Sequence, residues 1–260
     1  MIEAILDLPP HIRQRLAVAL ESGLLSGAAT APALQSVLGS AEWATPASKL
    51  LREFAAFTES SAAIAAWIRS LGKAEARSPR PDLVWSGPEV SGVHARSTRR
   101  VYEEVIEAAE RSLWISTYAF FDGPKAFETL ARRTDAVPTL KASLLLNLQR
   151  KHGDTTSADQ LVRRFADRFW TIEWPGQSRP RVYFDPRALE LDGPGGVLHA
   201  KAVVADEEAV FVTSANLTEA ALERNVELGI LVRDRTLAAS VASHFSGLIE
   251  RSVLTPLPGA

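Results

Sequence analysis

The sequence predicts an α/β domain, a mixed β-sheet flanked by helices, preceded by a small all-helical N-terminal domain. Three observations carry this reading. Between Pro9 and Gly72 apolar residues recur only at helical spacing. A stretch containing Arg77, Pro79, Arg80 and Pro81 then breaks all periodicity. Beyond it, aromatic and β-branched runs alternate with helical ones, the pattern of a sheet covered by helices. The expected division is a helical region with linker over 1–82 and the α/β domain over 83–260.

Each element has its own warrant. Pro9 and Pro10 suit a first helical turn. Ile12, Leu16 and Leu20 follow at helical spacing, and Gly23 ends the run. Thr45-Pro46 reads as a second helix start, with Leu50, Leu51, Phe54 and Phe57 as its apolar face. Ser60 or Ser61 caps a third helix carrying Ile64, Trp67, Ile68 and Leu71, closed by Gly72. This region reads as a helical bundle without chemistry, or as a docking element for a partner. A linker follows from Gly72 to Asp82.

Helical spacing returns over 98–111. Leu113 to Phe120 reads as a strand, as does the apolar run Leu140 to Leu148. Helices are expected over 127–133 and 157–169, and a short strand over 181–184. Val197 to Ala205 and Ala209 to Ser214 read as strands joined by the polar turn Asp206-Glu207-Glu208. A short helix over 219–222, a strand over 227–232 and a helix over 236–250 complete the chain. No internal repeat is visible.

Composition excludes several classes. The 260 residues include no cysteine, which removes disulfides and thiolate metal sites and fits a reducing cytoplasm. Net charge is −2 and the isoelectric point is about 6.2, so an anionic partner would need a local basic patch. Met1-Ile2-Glu3-Ala4 lacks the basic and apolar regions of a signal peptide. The apolar run at 140–148 is about half the ~20 residues a membrane helix needs. The expectation is a cytoplasmic protein with no membrane insertion.

The chemistry concentrates near the C-terminus. His199 and Lys201 are two apart on an expected strand, so both side chains leave one face. A neutral imidazole can attack phosphorus, and a lysine beside it can bind a phosphoryl oxygen. Ser214 and Asn216, again two apart, can donate to phosphate oxygens. Asn225 and Glu227 follow, and a carboxylate against the far nitrogen of His199 would fix its tautomer. Alone, a His-x-Lys pair describes an exposed strand histidine beside a solvated lysine. The whole series has more content. His199-x-Lys201, four residues, Asp206, six residues, Thr213-Ser214-Ala215-Asn216, then Glu227, resembles the signature motif of the phospholipase D superfamily.

That resemblance implies a phospholipase D-like mixed sheet and a metal-independent phosphodiesterase without cofactor. It makes His199 the nucleophile, Lys201 the phosphate clamp, Ser214 and Asn216 phosphate ligands, and Glu227 the partner of His199. Asp206 would be structural, shaping the turn. One position departs from the family, which usually has glycine where Thr213 stands; a β-branched residue there is expected to crowd the backbone and lower activity. Single-motif members form homodimers in which two histidines share the work of nucleophile and acid. His94-Ala95-Arg96 does not make a second motif, since no serine–asparagine pair follows at the right distance. His11, His152 and His244 read as surface residues.

A phosphodiester is the expected substrate class, and DNA or RNA is favoured over phospholipid because no lipid-embedding segment is visible. Arg96, Arg99, Arg100, Arg132, Arg133, Arg150, Lys151, Arg163 and Arg164 form either a phosphate-contacting rim or solvated helix faces. Trp114, Tyr118, Trp170, Trp174 and Tyr183 include candidate stacking residues, with Trp114 better read as core. The layout of helical region, proline–arginine linker and single C-terminal motif is also similar to the phospholipase D-like component of the DISARM anti-phage system. That likeness implies restriction of invading DNA beside other defence-system proteins. A lipid headgroup phospholipase or phosphatidyltransferase, and a non-catalytic DNA- or partner-binding module, stand as alternatives.

Overall fold

A computed structural model describes residue 5 and residues 7–77, 80–89, 91–92, 94–191 and 196–259. The reading of Met1 to Ala4, and of the linker at Ser78 and Pro79, falls outside the described residues. The chain forms two compact units, Met1–Ser78 and Pro79–Ala260.

The first unit is helical: α1 (Pro10–Glu21), α2 (Ala31–Leu38), α3 (Ala41–Ala55) and α4 (Ser61–Arg77). Leu16, Leu34, Leu50, Phe54 and Ile64 form its core. Four expectations change here. Helix α2, between Thr30 and the left-handed Gly39, has no counterpart in the sequence reading. Helix α3 begins at Ser40, whose hydroxyl accepts from the Glu42 amide, so Pro46 lies inside it rather than at its start. Gly72 does not end α4; the helix-forming run Lys73 to Arg77 carries it on, against a glycine cost of about 1 kcal/mol. Phe57 and Trp67, expected on apolar faces, are exposed.

The second unit is one sheet with helices packed on it. Its strands are β1 (Asp82–Ser86), β2 (Arg96–Ser97), β3 (Ser112–Thr117), β4 (Lys141–Leu146), β5 (Arg181–Phe184), β6 (Ala202–Ala205), β7 (Ala209–Thr213), β8 (Glu227–Val232) and β9 (Thr255–Pro256). They are ordered β2-β1-β8-β7-β6-β3-β4-β5-β9. Strands β3, β4 and β5 run parallel, while β3-β6-β7-β8-β1 are linked by antiparallel pairs. The helices are α5 (Thr98–Ala108), α6 (Gly123–Ala126), α7 (Glu128–Ala136), α8 (Ala158–Arg168), α9 (Glu219–Glu223) and α10 (Arg235–Glu250). A π-helical turn, Phe169–Glu173, extends α8. This is the mixed sheet flanked by helices that the alternating pattern predicts.

The main core packs Val101, Val105, Leu113, Phe127, Leu144, Phe169 and Phe211 on one face of the sheet. On the other, Trp114 packs on Phe245 of α10, with ring centroids 6.1 Å apart. Strand β4 is buried at every position after Lys141, and β6 at all four of its positions, as expected for strands covered on both faces.

Asp206 ties the sheet together. It sits at the β6–β7 turn in a left-handed conformation (φ 53°). Its carboxylate accepts from the backbone amides of Glu110, Arg111 and Ser112, at 2.8, 2.7 and 2.8 Å. Those bonds explain why α5 stops at Ala108 and the chain turns directly into β3. Burial pushes the Asp206 acid up, but the three amides and the Arg111 guanidinium outweigh it and hold it below the ordinary carboxylate value. A carboxylate depressed in the fold stabilises above its unfolded value, and the contribution is lost as pH falls through the folded value. Asp206→Asn should therefore cost about 1–3 kcal/mol near neutral pH. Urea unfolding of both proteins should show that gap narrowing as the solution is acidified; a gap independent of pH would contradict this role.

Candidate active site

The sheet register brings the motif residues other than Asp206 to one end. Ser116 pairs with Ala202, Ala202 with Val212, and Val212 with Ile230 across β3, β6, β7 and β8. Two residues further along each chain path stand Tyr118, Ala200, Ser214 and Leu228, flanked by His199, Lys201 and Glu227. The expected strand over 197–205 begins only at Ala202. The preceding residues are instead pinned singly: Ser116 Oγ donates to the Ala200 carbonyl (2.9 Å), and the Thr213 amide to the Lys201 carbonyl (3.1 Å).

His199 is exposed, and Lys201 is buried beneath it. The Lys201 ammonium lies 3.2 Å from both ring nitrogens of His199 and donates to the His199 carbonyl at 2.8 Å. Equal distances mean that the ammonium approaches between the nitrogens, not along one lone pair. The Tyr118 ring completes the cluster. It stands 4.7 Å from the imidazole, tilted 58°, and its face lies 5.3 Å from the Lys201 ammonium, within cation–π range. Burial pulls the Lys201 pKa below the ordinary lysine value, and the negative charge of Glu227 partly opposes that shift.

Glu227 is engaged differently from the sequence expectation. Its carboxylate accepts from Ser214 Oγ and from Asn225 Nδ2 (3.3 Å). Among the described residues it makes no hydrogen bond to His199. The Ser214 hydroxyl also accepts from the Leu228 amide at 3.1 Å, so the Ser214–Glu227 pair is locked to β8. The Asn216 amide oxygen is buried without a hydrogen-bond partner, leaving that amide available to a ligand.

Thr213 does not crowd the backbone. Its hydroxyl accepts from the Ala215 amide at 3.1 Å, stabilising the turn that presents Ser214. Room for its side chain comes from Gly229 directly opposite, where a Cβ would lie 3.1 Å from that of Thr213 and 2.7 Å from Phe211.

The arginine rim is largely spent on structure. Arg96 pairs with Asp82 and Glu104, Arg99 with Glu219 and Glu223, and Arg132 with Glu107. Arg133 and Arg150 donate to backbone carbonyls. His11, His94, His152 and His244 are exposed, as expected for surface residues. Sequence reasoning missed Ser116, and it named Tyr118 only among five possible stacking residues. A detectable signal was present: Ser116 lies in β3, which pairs with the motif strand β6, and Tyr118 follows directly on the end of β3.

Residues 102–249, more than half of the chain and including every motif residue, match the family described as cardiolipin synthase, PLD-like domain. This chain belongs to the phospholipase D-like family. No curated protein matches it. Among solved structures, it is similar to Nuc from Salmonella typhimurium, a phospholipase D family member, with 17% identity and a TM-score of 0.44 over 68% of this chain and 97% of that one. NucT from Helicobacter pylori gives 18% and 0.47, over 68% and 99%. Phosphatidylserine synthase from Haemophilus influenzae Rd KW20 gives 19% and 0.46, over 76% of this chain and 47% of that one.

The depressed Lys201 pKa has a measurable consequence. If the ammonium serves the reaction, activity should fall on the alkaline side below the ordinary lysine value of 10.5. A pH–rate profile should show that limb, and Lys201→Arg should move it to higher pH. A limb unaltered in the arginine variant would separate Lys201 from it.

Proposed function

We propose that this protein is a metal-independent phosphodiesterase, a nuclease acting on DNA or RNA, with its chemistry in the 83–260 domain. The observation that carries this reading is the buried Lys201 ammonium held against the exposed His199 imidazole, with Ser214 and Glu227 beside them. A phosphate entering this cluster meets a nucleophile and a cation together. His199 attacks phosphorus as the bond to the leaving oxygen breaks, giving a phosphohistidine that water then hydrolyses. Lys201, Ser214 and Asn216 hold the phosphoryl oxygens. Glu227 acts through Ser214 and by balancing the charge of Lys201. The leaving oxygen needs a proton, and we assign that to His199 of a second copy in a homodimer. The aromatic Tyr118 at the site supports a nucleic-acid substrate.

The layout of helical region and single-motif domain supports a role in anti-phage defence of the DISARM type, beside other defence proteins. A second reading, action on lipid headgroups, is favoured by the family description, which names cardiolipin synthase. Hydrolysis of single-stranded DNA, duplex DNA, RNA and phospholipid, all in EDTA, separates the two. The nuclease reading expects nucleic-acid cleavage that survives EDTA. His199→Ala should lose at least about a thousandfold in rate with its fold intact by circular dichroism. A strict need for a divalent cation, or activity above a few per cent in that variant, would overturn it.

The dimer is tested independently. Sedimentation at micromolar concentration should give twice the 28.2 kDa chain mass. A fully active monomer would mean that the leaving-group proton comes from elsewhere.

A further inference from the structure

We propose that the cleft on the far side of Tyr118 is a subsite for one unpaired nucleobase, next to the phosphate held at His199. This deepens the nucleic-acid reading and rests on it. The cleft lies at the ends of the parallel strands β3 and β4 and has a volume of about 270 Å³. That is just below the ~300–1,000 Å³ typical of small-molecule pockets, a size suited to a single ring system. Its walls include Tyr118, Phe121, Asn147, Gln149, Phe165 and Arg168.

Tyr118 joins the two sites physically. Its ring stands 4.7 Å from His199, and its hydroxyl accepts from Gln149 Nε2 in the cleft. A group bound there is therefore one aromatic ring away from the nucleophile, as a base is one sugar away from its phosphate. Phe121 is 72% exposed, a large aromatic face with no core to fill. The Asn147 amide oxygen is buried without a hydrogen-bond partner, so a polar group in this wall is left unsatisfied.

The chemistry selects the occupant. A base has apolar faces for Phe121 and Tyr118, and an edge of mixed donors and acceptors. The Asn147 and Gln149 amides offer both kinds of group. An acyl chain would use the aromatic walls but leave the amides unmatched. A base seated in the cleft has its pairing edge turned to protein. Single strands therefore enter directly, whereas a duplex must first extrude a base.

The experiment uses the full-length His199→Ala protein, which binds without turnover. Fluorescence anisotropy compares a short single-stranded DNA with an abasic oligonucleotide of equal length and charge. The base-bearing strand should bind about tenfold tighter or more. Phe121→Ala should erase that difference and Phe121→Trp keep it; the exposed position makes both compatible with folding. Equal affinity for the two strands, no binding to either, or a difference untouched by Phe121→Ala would overturn the subsite. Vesicle binding that depends on Phe121 in place of oligonucleotide binding would assign the cleft to an acyl chain and also overturn it. Failure here is distinguishable from failure of the nuclease reading. Wild-type protein cleaving both strands with equal KM removes the subsite alone, whereas no cleavage of any nucleic acid removes the reading beneath it.

Discussion

A buried lysine organises this site. Moving an ammonium out of water is expensive unless its charge and donors are matched. At Lys201 the match is assembled from several elements: the His199 carbonyl, the face of Tyr118 and the charge of Glu227. Each of these needs the others in register. Glu227 is held by Ser214 at the end of the neighbouring strand, and the segment carrying Lys201 is held by Ser116 and Thr213.

The sheet makes that assembly possible. Its antiparallel half lines up β3, β6, β7 and β8, so residues distant in sequence end at one level. Its parallel half then continues the same end into the aromatic cleft through Tyr118 and Asn147. Asp206 fixes the opposite end of β6, where its carboxylate binds three amides leading into β3. The motif residues thus divide into those clustered at the exposed end and one that sets the register.

Much of the fold was legible in sequence because apolar periodicity is strong where elements are long or buried. The strands Arg181–Phe184 and Glu227–Val232 have the bounds that alternation predicts. Legibility failed where tertiary contacts outweigh local signals. Strand β1 is five residues beyond a proline-rich stretch, and β9 is two residues long. Neither has a period to read. Pro46 looked like a helix start, yet Ser40 supplies the capping hydroxyl. At the site, spacing located His199, Lys201, Ser214 and Glu227 at one sheet end. Spacing did not reveal that Glu227 bonds Ser214 rather than His199, because that depends on β7–β8 register. Nor did it reveal Tyr118 as their neighbour, because that contact joins residues 81 positions apart.

The central claim is that His199 forms a covalent bond to phosphorus. It is tested most directly by acid-free quenching of the protein during turnover of single-stranded DNA, followed by peptide mass spectrometry. The account predicts a phosphoryl-linked nucleotide adduct on the peptide containing His199, absent from the His199→Ala protein. Efficient turnover with no adduct, or an adduct on any other residue, would contradict it.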